Sequence, residues 1–356
     1  MNKKILWVIL LVVVVVIMVV TTGSKNKDES IKIGALYAVT GPAAQFGEGS
    51  IQGVKDAVSY FEEKTNKKVD LIVEDTAGDA KQAVTSATKL FNIDKVRFAV
   101  VGMSGPSASV APLADQYKNL VISDAAGYGL TKGKKYILQN FLPSLNDISL
   151  QINSNQSYKK VAVVYINDEF GVKWAEFTRD NVTKDKKVEL FSFEKTATDF
   201  RTQAAKINQF KPDVIVTVGY GPALNQAYSD MNLLGVKAPF ITYLSCTFPG
   251  LLTDNRFSLE GQGSYEYPNT GNNDMNIWIK NHGGSSATFY SIAFENTLVL
   301  LNAIDKTGGD VDRSIEYLKS NDVDGLYGKV RFNQDGYVER DLVLTKVEGG
   351  KCVPIK

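Results

Sequence analysis

The chain is poor in the side chains that most enzymes use for chemistry. Its 356 residues hold one histidine, His282, which leaves no multi-histidine metal site and makes a Ser-His-Asp triad a remote reading. The two cysteines, Cys246 and Cys352, lie far apart in sequence and are expected to be free, since only the fold could bring them together. Charge of one sign is lacking too: 40 Lys and Arg stand against 39 Asp and Glu, and no basic stripe is interleaved with aromatics, so no nucleic-acid partner is expected. There is no G-x-x-x-x-G-K-[ST] loop to cradle a phosphate, and no repeat of 20–50 residues. Gly102-Met-Ser104-Gly105 superficially resembles a nucleophile elbow, but Pro106 stands where the second glycine belongs. The pair Asp168-Glu169 reads most simply as a solvated loop. Neither an enzyme nor a cofactor or metal protein is expected.

One long hydrophobic run is present. Asn2-Lys3-Lys4 precedes an uninterrupted apolar stretch, Ile5–Val20, which spans about 24 Å as a helix, against a bilayer core of roughly 30 Å. No small-residue cleavage site and no lipid-accepting cysteine follow it. The expectation is one N-terminal transmembrane helix within an anchor and linker segment, 1–30, with the body exported. A cleaved signal is the alternative.

Beyond the linker, apolar runs of strand length alternate with helical stripes. Ile31–Tyr37, Val69–Glu74, Phe98–Val101 and Leu120–Ile122 read as strands with helices between them. This βαβαβαβ order calls for a parallel sheet. A second series of similar size begins after Tyr158, with strands at Val161–Ile166, Val188–Phe193, Asp213–Val218 and Phe240–Tyr243. The fold class is therefore α/β in two Rossmann-like lobes. The stretch Phe98–Gly127 is the most informative. It places two polar loops, Gly102–Pro106 and Ser123–Gly127, after consecutive strands, where open α/β sheets bind ligands. Backbone N–H groups and the Ser104 hydroxyl are expected to converge there on a small anionic or polar group. Near the C-terminus, Tyr327–Gly336 reads as strand, turn, strand.

From Ile31 to about Tyr337 the chain resembles the type I periplasmic binding proteins of the leucine/isoleucine/valine-binding kind. The carriers are Thr40-Gly-Pro-x-x-x-Phe46-Gly47, Val73-x-Asp75 with Asp79, and Val101-Gly102-x-Ser104. Further carriers are Ile122-Ser-x-Ala-Ala126, Phe170-Gly171, Asp199-Phe200, Gly219-Tyr220 and Tyr327-Gly-x-Val-x-Phe-x-x-x-Gly336. The resemblance implies lobes joined by a three-crossing hinge, with an N-lobe of 31–143 plus 272–325 and a C-lobe of 144–271 plus 326–356. It also implies a solute receptor that serves the permease of an ABC importer; a membrane-anchored sensor domain is the alternative. The ligand-holding serine of the family falls on Ser104, its next binding loop on Ala125-Ala126-Gly127, and its cleft aromatics on Phe46, Phe170 and Tyr220. Two positions depart from the pattern. Gly127 replaces a threonine, and the acidic partner of an amino-acid ammonium falls near Leu244. A carboxylate or neutral polar ligand is therefore expected over a zwitterion, with leucine, isoleucine and valine binding poorly. Asp124 or Glu266 could substitute, but the motif places neither.

Overall fold

A computed structural model describes residues 30–355 except 42, 128, 142–144, 244–249, 267–272, 286–287, 339 and 341–342. The expected transmembrane segment and Leu244 both lie outside the described residues. Among the described residues no helix is long and apolar enough to cross a membrane.

The first sheet holds five parallel strands in the order β2-β1-β3-β4-β5: β1 (Ile31–Tyr37), β2 (Val69–Asp75), β3 (Phe98–Val101), β4 (Leu120–Ser123) and β5 (Ile137–Gln139). β3 and β4 are buried at every residue, as strands covered on both faces must be. Helices Ala44–Thr65, Ala80–Thr88 and Ser104–Tyr117 connect them, and Asp79 caps the second of these by accepting from Lys81 N and Gln82 N. The second sheet has the order β14-β13-β10-β9-β8-β6-β7. Its parallel part is β6 (Lys160–Ile166), β7 (Lys187–Phe193), β8 (Val214–Val218), β9 (Phe240–Tyr243) and β10 (Gly263–Glu266). β13 (Val343–Glu348) and β14 (Lys351–Pro354) add to its edge antiparallel.

Each sheet has its own core. The first core gathers side chains from Ile33 to Leu138 and again from Met275 to Val338, including helices Thr288–Thr307 and Val311–Ser320. Side chains between Phe141 and Leu259, with Ile292 and Val347, fill the cores of the second lobe. Apart from Ile292, core membership thus changes three times along the described chain. Leu326, Val330, Phe332 and Val338 belong to the first core, whereas the expected division gave everything from 326 to the second lobe. The reason is pairing. β12 (Gly328–Val330) turns back on β11 (Val323–Gly325), and Gln139 bridges Tyr337, which holds the segment against β5.

Where the chain passes between lobes, one carboxylate collects the strands. Glu295, fully buried on helix Thr288–Thr307, accepts from Asn140 Nδ2 (3.0 Å), Arg340 (2.9 Å) and the backbone N–H of Tyr327 (3.0 Å). Asn140 leads into the first passage and Arg340 lies in the last. The expectation of free cysteines is corrected: Cys352 is disulfide-bonded. Cys246, the other cysteine of the sequence, lies outside the described residues. Sequence separation gave no hint that β14, beyond the last helix, returns to the second sheet.

Candidate functional site

In both sheets the strand order reverses beside the first strand, and there the two outgoing loops diverge and leave a crevice. In the first lobe these loops follow β1 and β3 and carry Phe46 and Ser104. In the second they follow β6 and β8 and carry Phe170 and Tyr220. The two crevices face each other.

The aromatic-glycine pairs have a packing cause. A Cβ on Gly47 would stand 1.8 Å from the carbonyl oxygen of Ala38, just past β1. A Cβ on Gly171 would stand 1.9 Å from the carbonyl oxygen of Ile166, at the end of β6. Each glycine lets the first turn of a helix lie directly on the preceding strand's end. The phenylalanine one residue earlier is thereby aimed into the cleft. Phe46 meets Tyr220 edge-on, with ring centroids at 5.5 Å, and also contacts Phe289 at 4.9 Å. Phe170 stacks on Tyr220 at 6.2 Å. The lobes therefore touch across the cleft. A further bond ties them: Trp174 Nε1, on helix Glu169–Asn181, donates to the carbonyl of Ala126 at 2.6 Å.

The cavity between the lobes measures about 110 Å³. That approaches the ~150 Å³ apolar cavities that take a benzene ring. Phe46, Phe170, Tyr220 and Phe289 form its aromatic wall, and Ser104, Asp124, Asp168, Glu169 and Lys195 supply its polar side chains.

Helix Ser104–Tyr117 opens toward this cavity. Its first amides have no intrahelical partner, and Ser104 and Gly105 are at the lining. The residue before it, Met103, holds φ 68° and ψ 149°, a region nearly confined to glycine and costing about 1–3 kcal/mol. Asp124 holds that backbone in place, its Oδ1 accepting from Met103 N at 2.8 Å. The Asp124 carboxyl is buried, and burial pushes its pKa up to about 7 against the pull of the Met103 N–H bond and the nearby Tyr37 hydroxyl. The Tyr37 hydroxyl faces that carboxyl without forming a well-directed hydrogen bond. Its own pKa is raised, first by burial and then by Asp124.

Of the eight expected site residues, Phe46, Ser104, Ala126, Phe170 and Tyr220 line the cavity. Ala125 and Gly127 do not. Their amides are turned away: Ala125 N donates to Ser123 Oγ at 2.9 Å and Gly127 N to Ser104 Oγ at 3.0 Å. The glycine at 127 also has a steric reason, since a Cβ there would approach the Ser104 Cβ at 3.3 Å.

Asp168 is not the solvated loop residue that the sequence suggests. One oxygen caps helix Glu169–Asn181 through Gly171 N (2.9 Å), and the other accepts from the Tyr220 hydroxyl (2.6 Å), with Lys195 at 3.6 Å. Burial and Asp168 together raise the Tyr220 pKa. Of the two substitute carboxylates, Asp124 reaches the cavity. Glu266 lies on β10, takes the Ser264 hydroxyl at 2.6 Å and is not among the described lining residues. His282 is far from the cleft, stacked on Trp278 at 4.0 Å. Among the described residues no three metal-ligating side chains come together.

A sequence profile described as periplasmic binding protein matches residues 30–351, nearly the whole described chain. The chain belongs to the periplasmic binding protein family. Among curated members, the Leu/Ile/Val-binding proteins of Citrobacter freundii and Escherichia coli K12 are each 27% identical over 241 residues, covering 60% of this chain. The alignment spans 61% of those relatives' own length. Among solved structures, a leucine-binding protein LivK from Thermotoga maritima superposes with a TM-score of 0.80 at 20% identity, covering 92% of this chain and 98% of its own. LivJ of Streptococcus pneumoniae, solved with isoleucine, gives 0.77 at 20% identity over 91% and 98%. A solute-binding protein of Rhodopseudomonas palustris, solved with benzoate, gives 0.77 at 16% identity over 92% and 95%. At these identities the structures establish the shared α/β two-lobed fold, and periplasmic binding proteins of this fold span both amino-acid and aromatic-acid ligands.

Proposed function

We propose that the protein is an extracytoplasmic solute receptor that closes its two lobes on a small carboxylate-bearing molecule and presents it to an ABC importer. The observation that carries this reading is the cavity itself: its wall is drawn from both lobes, so closing and binding are one event. Ser104 and the first amides of helix Ser104–Tyr117 supply the donor end. The Ser104 oxygen already accepts from Gly127 N, which leaves its proton for a ligand oxygen. Phe46, Phe170, Tyr220 and Phe289 give the apolar walls. The ligands named for related structures, isoleucine and benzoate, share a carboxylate. The N-terminal apolar run would hold the body at the outer membrane surface, with the passages around Asn140 and Arg340 serving as the hinge.

Titration calorimetry of the full-length protein against amino acids and aromatic acids tests the reading. Ser104→Ala is expected to weaken the best ligand by about 1–3 kcal/mol, roughly 5- to 150-fold. Wild-type affinity in that variant would remove Ser104 from the site.

A further inference from the structure

The five strands of the first sheet are parallel, so all begin at one end of the lobe, opposite the loops that reach the cleft. Each strand begins beside a basic residue. Lys67 and Lys68 precede β2, Lys95 and Arg97 precede β3, Lys118 precedes β4, Lys135 precedes β5, and Lys32 is the second residue of β1. In a chain whose charges nearly cancel, this gathers cations at one end. Lys32, Lys67, Lys68, Lys95 and Arg97, with Asp305, line a basin of about 700 Å³ there, and Ser30, just before β1, is also at its lining.

The carboxylates around this end are engaged. Asp305 meets Lys67, and Glu62 takes Lys68 and the Val69 N–H. Asp94 meets Lys89, and Asp312 meets Lys135. Asp115 accepts from the backbone N–H groups of Lys135 and Tyr136, and Asp70 stands 3.9 Å from Lys32. Lys95, Arg97 and Lys118 are exposed and form no ion pair among the described residues. Ile93 precedes Lys95 by two residues and is 70% exposed. Its turn touches the start of β1, where Lys32 Nζ donates to the Asp94 carbonyl at 3.4 Å.

We propose that this end of the first lobe is a docking face for the anionic headgroups of the bilayer that carries the N-terminal run. The proposal rests on the anchor reading above and deepens it. Charge is the first argument for this partner. Unpaired cations beside an exposed apolar side chain suit a layer of phosphates over acyl chains. Tether length is the second. Residues 21–29 separate the apolar run from Ser30, and that many residues reach at most about 30 Å. The second lobe also has lysines near its strand starts, Lys211 and Lys237. Its cleft loops face those of the first lobe, so that end points away from the tether. Docking leaves the cleft accessible, because a strand as long as β1 spans about 23 Å from the docked end toward it. The first lobe is then held still, and closing moves the second.

Energy transfer on the full-length protein in lipid nanodiscs tests this. A donor dye is placed at Asn92→Cys, beside the basin, or at Gln209→Cys, at the far end of the second lobe, and the acceptor is a headgroup-labelled lipid. Discs of phosphatidylcholine with about 30% phosphatidylglycerol are compared with pure phosphatidylcholine, each at about 0.05 and 0.5 M salt. Transfer from position 92 should be strong only with the anionic lipid at low salt, and transfer from position 209 should stay low throughout. Replacing Lys95, Arg97 and Lys118 together by glutamine should lower the docked-to-free ratio about 100-fold, at roughly fivefold per charge. If transfer from position 92 ignores lipid charge and salt, or position 209 matches it, the docking face falls. The anchor reading stands in that case, provided the protein stays on the discs at high salt. If high salt strips the protein from the discs, the anchor reading falls and takes the docking face with it.

Discussion

Replacing Gly47 by alanine adds one methyl group at the tightest point of the first lobe. That Cβ would sit 1.8 Å from the Ala38 carbonyl oxygen, where real Cβ atoms essentially never come within 3.0 Å. Helix Ala44–Thr65 would have to retreat by about 1 Å, and it has nowhere to go. On its far side Gly53 abuts helix Thr288–Thr307, where a Cβ would lie 2.2 Å from the Tyr290 carbonyl oxygen. Both obstacles are backbone, so no rotamer change relieves them. The cost is expected at about 2–4 kcal/mol, the upper end of overpacking penalties, or roughly 4–12 °C in Tm. Gly49, two residues on, is the control. A Cβ there meets only Tyr290 N, at 3.9 Å, and alanine inside a helix gains about 0.5–1 kcal/mol over glycine. Thermal melts followed by circular dichroism should therefore move in opposite directions for the two variants. If Gly47→Ala melts at or above wild type, or Gly49→Ala falls as far, the glycine at 47 is not there to admit the strand end.

Two other perturbations test the scaffold around the cleft. Asp75 accepts from Val39 N, Thr40 N, the Thr40 hydroxyl and Ala77 N. Burial pushes its pKa up, but these bonds outweigh it and leave the folded value below the usual one. A depressed carboxylate contributes stability above its unfolded pKa, about 3.9, and loses it as pH falls through the folded value. Asp75→Asn should thus lower stability by about 1 kcal/mol at pH 6, modest because solvent screens the site. The gap to wild type should narrow as pH falls below the unfolded value, and a gap constant with pH in urea melts would refute the account. Glu295→Ala removes the buried carboxylate to which the Arg340 guanidinium, 4% exposed, donates at 2.9 Å. A loss of about 3–5 kcal/mol in the urea midpoint analysis is expected, and a loss under about 1 kcal/mol would show that the passages between the lobes do not depend on this carboxylate.

The alternation of apolar runs and helical stripes made the parallel core of both sheets legible, because strands such as Val214–Val218 are covered on both faces and announce themselves by composition. β10, Gly263–Glu266, gave no such signal. Its four residues are mostly polar, and its place between β9 and β13 is decided by distant partners. The hairpin expected at Tyr327–Gly336 is split for a similar reason: Gly328–Val330 pairs backward with Val323–Gly325, and Phe332 bridges Val338 after the turn. At the site, the residues set by local backbone geometry were readable. Phe46 and Phe170 are tied to the glycines that follow them, and Ser104 to a helix start. Asp124 sits in the Ser123–Gly127 loop that the strand pattern flags, whereas Asp168 and Phe289 reach the cavity through tertiary packing, and nothing in their own neighbourhoods marks them.

The bond from Trp174 to the Ala126 carbonyl has an optical consequence. The chain carries three tryptophans, Trp7, Trp174 and Trp278. Trp278 is held within the first lobe, its indole N–H on Glu63, so lobe rotation leaves its surroundings unchanged. Trp174 alone among the described tryptophans has its indole N–H committed across the cleft. When the lobes part, that hydrogen bond must exchange the carbonyl for water, and the emission of one buried chromophore shifts to the red. The opening and closing proposed above would thus be written into the protein's own fluorescence, and stopped-flow emission would time it without any attached dye.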